Sequence, residues 1–227
     1  MQIIKKHGII IFWTVLFAHC AFIYFEKTDF RYISKLFLMP ILIAYLLMNV
    51  RKNAYHTSKR IIYIGLFAAF VGDLLLIFNG TAFFIGGMLA FIVTHIAYTT
   101  FFLKSSNVRF NKATEFVVAS VLVTIFAVKL LDFLKPYLGD MIWPIKIYMA
   151  AIAIMTASAA NLLSNNLLKV IATTYFVPGA VLFVFSDAVL ASNHFLYKDN
   201  FLDVVVMLSY GYAQCLMVQG FARYLKA

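Results

Sequence analysis

The sequence predicts an all-α integral membrane bundle of eight transmembrane helices, a single domain over residues 1–227 with both termini cytoplasmic. Three observations predict it. Of the 227 residues, 64% are apolar and 12% charged, whereas a soluble chain is about half apolar and a quarter charged. The apolar residues gather into runs of about 17 to 25, the length that crosses a ~30 Å hydrocarbon core as a helix. The 19 Lys and Arg and 9 Asp and Glu fall mainly between those runs. Soluble enzyme, disordered chain, disulfide scaffold and nucleic-acid module are thereby excluded, and the basic surplus reads as topology.

The first run, 9–25, follows Lys5, Lys6 and His7 in the manner of a signal peptide. No small-x-small cleavage pattern comes after it, and His19 before Cys20 spoils a lipoprotein-type site, so it is read as a retained span. The second, 34–50, opens on Lys35 and contains Pro40. The third, 60–78, ends at the turn Asn79-Gly80-Thr81, and the fourth covers 83–103. The fifth, 114–134, carries Lys129 and Asp132 near its end, and the sixth, 141–160, contains Pro144 and many alanines. The seventh, 169–191, is interrupted by Tyr175-Phe176-Val177-Pro178-Gly179, which predicts a break or kink, and the eighth is 202–224. Small residues at Ala68 and Gly72, and at Gly86 and Ala90, mark faces where helices can approach closely in lipid.

Charge orients the bundle. One side holds Lys5, Lys6, Arg51, Lys52, Lys59, Arg60, Lys104, Arg109, Lys112, Lys169, Arg223 and Lys226. The other holds Lys27, Arg31, Lys35, Lys129, Lys135, Lys146 and Lys198, with six acids: Glu26, Asp29, Asp132, Asp140, Asp199 and Asp203. The more basic side, with both termini, is expected in the cytoplasm.

Two acids remain in the apolar interior. Asp73 and Asp187 each lie about five residues before the outer end of their predicted spans, roughly 7 Å below the interface. A carboxylate there costs about 2.5–3.5 kcal/mol on insertion scales, so it normally faces the bundle interior. Phe70-Val71-Gly72-Asp73-Leu74-Leu75-Leu76 resembles Val184-Phe185-Ser186-Asp187-Ala188-Val189-Leu190, four spans apart, as a parallel 4+4 repeat would require. The bland alternative is that each aspartate bonds a neighbouring polar group and locks helix packing. Phe91, His95, Tyr98 and Phe102 share one face of the fourth span, and Tyr210 and Gln214 lie a turn apart in the eighth. His19 is a weaker candidate. Lys35 either snorkels to headgroups or holds a lipid phosphate. Tyr148, Asn161 and Glu115 are read as structural. Cys20 and Cys215 suggest no disulfide framework, and with only His19 and His95 read as intramembrane, neither a metal nor another cofactor is expected.

These residues resemble the YhhN-like lysoplasmalogenase family of multi-pass membrane proteins. The likeness rests on Gly72-Asp73 followed by leucines, on Gly87…Phe91…His95…Tyr98…Phe102, and on Tyr210-x-x-Ala213-Gln214. It includes Gly179-Ala180-x-Leu182-Phe183-x-x-Ser186-Asp187-x-x-Leu190-Ala191 and the Lys35…Pro40 opening of the second span. The chain departs from the family at Leu36, where proline is usual, and at Gly211, where a second tyrosine is common. The resemblance implies hydrolysis of the vinyl-ether bond of lysoplasmalogens to a fatty aldehyde and glycerophosphoethanolamine or glycerophosphocholine. It implies an alkenyl lysophospholipid substrate within membrane lipid, with no nucleic acid and no obligatory protein partner.

The residue types suit that chemistry. An enol ether hydrolyses by protonation at its β-carbon, which leaves an oxocarbenium ion for water to capture. Burial and a second carboxylate keep a carboxylic acid protonated near neutrality, and glycosidases meet a similar cation with two carboxyl groups. Asp73 and Asp187 are the expected catalytic pair, one donating the proton and the other stabilising the cation. His95, Tyr98, Tyr210 and Gln214 are expected to line the cavity, and Lys35 to meet the phosphate. A small transporter or lipid carrier, with the aspartates coupling protons, stays open as an alternative, as does a hydrolase of another lipid. No Gly-x-Ser-x-Gly elbow supports a serine mechanism.

Overall fold

In hydrocarbon there is no water to receive backbone amides, so each apolar run must satisfy its own, and helix is the outcome. A computed structural model describes residues 2–50, 56–108 and 113–226, all-α and without strands among them. The bases Arg51, Lys52, Arg109 and Lys112, counted in the charge argument, lie outside the described residues. The helical stretches are α1 (Gln2–Tyr24), α2 (Thr28–Asn49), α3 (His56–Leu75), α4 (Thr81–Ser105), α5 (Thr114–Ser164), α6 (Lys169–Tyr197) and α7 (Asn200–Tyr224).

Eight spans were expected. The described residues form seven helical stretches, and six of these are long and apolar enough to cross a membrane. The difference has two causes. Lys135–Asp140, read as a separator, is not a loop: Lys135, Pro136 and Leu138 stay helical, and a single tight turn, Gly139–Met141, joins the fifth and sixth runs into the continuous helical stretch α5. Gly139 adopts φ +49°, ψ −127°, a conformation that a side chain would resist. There α5 doubles back, so that its arms Thr114–Leu138 and Ile142–Asn161 pack on each other. The exception among the seven is α3, because any eighteen consecutive residues in it include Lys59, Arg60 and Asp73.

The expected interruption at Tyr175–Gly179 is a wide π-helical turn, Ala172–Phe176, placed just before Pro178, whose ring would clash with a tighter backbone. A second π-turn, Asn193–Tyr197, carries α6 six residues past its predicted end. Asn193 stabilises this extension: its side chain receives the Asp199 amide at 2.7 Å and donates to the Asp199 carbonyl at 2.9 Å. Lys198, left-handed at φ +54°, then stops the helix. His194 is consequently inside α6, and it stacks on Phe84 with ring centroids 3.9 Å apart.

The closest pairing is α3 with α4. Thr94 donates to the Gly65 carbonyl at 3.1 Å, and the Phe91 ring sits where a Cβ on Gly72 would be, 2.8 Å away. The first and last helices start and finish at one end of the bundle, where Lys226 donates to Asn49 and Asn49 to the Lys5 carbonyl. That half is filled by aromatic rings, with Phe101, Phe102, Phe176 and Phe221 buried against one another. Outward faces carry Phe17, Phe67, Leu122, Ile125 and Val181, all exposed. Such a surface is stable against lipid and not against water. The protein is an integral, multi-pass membrane protein.

Candidate active site

The half of the bundle away from the termini is hollow. A cavity of about 230 Å3 opens there, with Asp73 of α3 and Asp187 of α6 both on its wall. The two aspartates are not at matching positions in their helices. Asp73 lies two residues before the end of α3 and Asp187 ten before the end of α6, because α6 runs longer than predicted. Tertiary packing, and no common spacing from helix ends, sets them on one wall.

Each carboxylate is held by a tyrosine. Asp73, 3% exposed, accepts from the Tyr210 hydroxyl at 2.7 Å. Behind it the chain continues: Gln214 Nε2 donates to the Tyr210 oxygen at 3.4 Å, and Tyr98 donates to Gln214 Oε1 at 3.1 Å. Asp187, its side chain 15% exposed, accepts from the Tyr148 hydroxyl at 2.8 Å. His95 Nε2 is 3.3 Å from the Tyr148 oxygen and 3.8 Å from Asp187 Oδ2. Since the Tyr148 proton goes to Asp187, Nε2 must be the protonated nitrogen that donates to the phenol oxygen. Ring edges brace both phenols: Phe91 and Phe183 meet the Tyr210 ring edge-on at 5.7 Å, and His95 meets the Tyr148 ring at 5.5 Å.

Charge concentrates at the open side. Lys35 and Arg31 of α2 line the cavity with Asp203 and His194. Arg31 pairs with Asp203 at 2.8 Å, and Asp203 also accepts from Asn193 at 2.7 Å. These bonds tie α2, α6 and α7 together at the rim.

Of the sequence candidates, Asp73, Asp187, Lys35 and Tyr210 line the cavity. His95, Tyr98 and Gln214, expected on the lining, are fully buried behind it, where their polar groups hold the tyrosines. His19 bonds Ser34 at 2.8 Å, away from the cavity, as a packing element. Asn161 donates to the Ser106 carbonyl and is structural as read. Tyr148 is the main omission: it was read as structural, yet it holds Asp187. The available signal was a hydroxyl amid Ile145, Ile152 and alanines, which needs a buried partner. Arg31, Asp203 and His194 were also missed, as their assignment to loops and helix ends hid them.

The YhhN family model matches residues 30–221, a stretch that contains every lining residue named above. The chain belongs to the YhhN family. This YhhN protein is also similar to "Lysoplasmalogenase TMEM86A" of Bos taurus, with 29% identity over 169 residues, 71% of this chain. The match spans 65% of that relative's length. No solved structure matches the YhhN chain.

Proposed function

We propose that this YhhN protein is a membrane lysoplasmalogenase, hydrolysing the vinyl-ether bond of an alkenyl lysophospholipid to a fatty aldehyde and glycerophosphoethanolamine or glycerophosphocholine. The observation that carries the reading is two carboxylates, Asp73 buried and Asp187 partly buried, each hydrogen-bonded by a tyrosine, on the wall of one cavity. The similarity to a protein named a lysoplasmalogenase supports it.

In this mechanism one aspartic acid gives its proton to the β-carbon of the alkenyl chain, leaving an oxocarbenium ion and a carboxylate. The other aspartate, ionised, faces the cation and orients a water. Water adds to the cationic carbon and loses a proton to a carboxylate. The hemiacetal then collapses to aldehyde and the glycerol hydroxyl. Preorganised charge in a site of low dielectric is worth more than in water, because it needs no reorganisation as the cation forms. The tyrosines provide that preorganisation by holding each carboxylate in place. Lys35 meets the phosphate, since Arg31 is already engaged by Asp203.

The test is turnover by purified protein in detergent, with alkenyl, acyl and alkyl lysolipids side by side in heavy water. Aldehyde from the alkenyl lipid alone is expected, trapped at once with one deuterium on the carbon next to its carbonyl. Unlabelled aldehyde defeats protonation at carbon. Lack of turnover on all three favours the transporter or carrier reading.

The end of the bundle that holds both termini faces the cytoplasm in this proposal, following the positive-inside rule. Membrane-impermeant maleimide is then expected to label Lys198→Cys on intact cells, and Asn166→Cys only after permeabilisation. Both positions are exposed at opposite ends of α6 and its preceding turn. The reverse pattern inverts the topology.

A further inference from the structure

Asp187 has a second neighbourhood, on the side away from the charged rim. A small void of about 30 Å3, lined by Leu76, Phe91, Tyr148, Leu190 and Ala191, continues from the cavity at Asp187. Beyond it lies an apolar slot between the first arm of α5 and α6, with Phe126, Leu130, Met149, Val184 and again Asp187 on its walls. Val123 at the far end of the slot also lines a hollow of about 430 Å3, bordered by Val118, Leu122, Leu163 and Val181, with Glu115 on its wall. Asp187 lines the polar cavity, the void and the slot, and it alone is common to all three.

The slot exists because the first arm of α5 is poorly packed. Of its 25 residues only Leu134 and Leu138 are buried. It leans on the second arm and, near its far end, on Asn193–Tyr197 of α6. Lower down, the slot lies between the two helices, beside residues of the first arm whose outer faces are exposed, among them Phe126 and Leu122.

We infer that this slot is the binding site for the hydrocarbon tail of the substrate, reached laterally from the membrane. The inference rests on the lysoplasmalogenase reading and assigns the part of the substrate that reading leaves unplaced. A vinyl ether joins a polar glycerophosphate to a long apolar chain, so its reacting bond belongs where a polar cavity meets an apolar one. Asp187 stands at that junction. The slot is narrow, about 40 Å3, and its lining runs from Leu134 to Val123, eleven residues of helix or about 16 Å, so a tail lies along it as the loosely packed first arm of α5 gives way. A longer tail extends into the hollow beyond Val123. The basic residues agree with this direction: Lys35 and Arg31 are on the cavity, and neither the slot nor the hollow has a Lys or Arg on its lining, Glu115 being the one charged residue of the hollow.

The experiment uses a lysophosphatidylethanolamine with a diazirine at the end of its chain, photolysed with the unaltered protein in lipid nanodiscs. Cross-links are expected within residues 118–130 and 177–188. Cross-links on α1, α2 or α4, or a slot protected because a second copy covers it in a dimer, overturn the inference. A second arm measures turnover by Ala127→Trp and Val184→Trp, which fill the slot. Turnover of a long-chain alkenyl lipid should fall at least tenfold relative to a short-chain one with the same headgroup. An unchanged chain-length preference overturns the inference. Cross-linking in the slot without vinyl-ether turnover by the wild type would defeat the proposed reaction and keep the slot. Turnover with cross-links elsewhere would do the reverse.

Discussion

Asp73→Asn and Asp187→Asn are each expected to lower aldehyde release by at least about 10³-fold while leaving a folded, extractable protein. The size follows from what the amide removes. Proton donation at the reacting atom contributes about 10²–10⁴-fold, and an ionised carboxylate facing a developing cation adds a comparable electrostatic factor. Asparagine keeps the shape and still accepts from Tyr210 or Tyr148, so folding should survive where chemistry does not. The check is single-turnover aldehyde release beside a thermal unfolding curve for each variant. Full activity in both variants removes the pair from the mechanism. Loss in both with an unchanged unfolding midpoint separates chemistry from helix locking, the bland role open to buried aspartates.

Tyr148→Phe and Tyr210→Phe are expected to fall between the wild type and the aspartate variants. A hydrogen bond to a charged group contributes about 1.5–3 kcal/mol, which at 1.4 kcal/mol per decade is about 10–100-fold in rate. Tyr148→Phe also leaves His95 Nε2 facing Asp187 directly, since they are already 3.8 Å apart. Its loss should therefore be the smaller of the two, because the histidine can donate in place of the phenol. Tyr210→Phe has no such reserve: Gln214 bonds the phenol and makes no hydrogen bond to Asp73. Comparing kcat for the two variants decides it, and equal losses would remove His95 from this supporting role.

The helical architecture was readable from composition because lipid leaves the backbone one way to satisfy itself over a long apolar run. Boundaries were less readable where a polar cluster could stay helical. Lys135, Pro136 and Asp140 look like a loop in sequence, but Lys135 and Pro136 continue the helix and Gly139 provides the reversal. The end of α6 was missed for a similar reason. Asn193 and His194 read as loop residues until Asn193 closes on the Asp199 backbone, six positions on, and holds a π-turn together.

The site divides along the same line. Asp73, Asp187, Lys35 and Tyr210 stood out by sequence alone, because a charge or hydroxyl in an apolar helix is expensive and must be turned inward. The sequence could not say which of these meet the cavity and which stand behind it. His95, Tyr98 and Gln214 were placed on the lining and are second in line, while Tyr148, dismissed as structural, bonds a carboxylate directly. Arg31 and Asp203 are 172 positions apart, and only the packing of α2 beside α7 joins them.

What the sequence by itself determined is the membrane environment, the helical class and the pair of interior carboxylates, since each follows from the local cost of putting a group in hydrocarbon. Only the tertiary structure decided that the two aspartates share one cavity, that a tyrosine holds each, and that Asp187 also lines an apolar slot. Those depend on which helix faces meet, and the free energy of a shared wall belongs to the pair of helices and to neither alone.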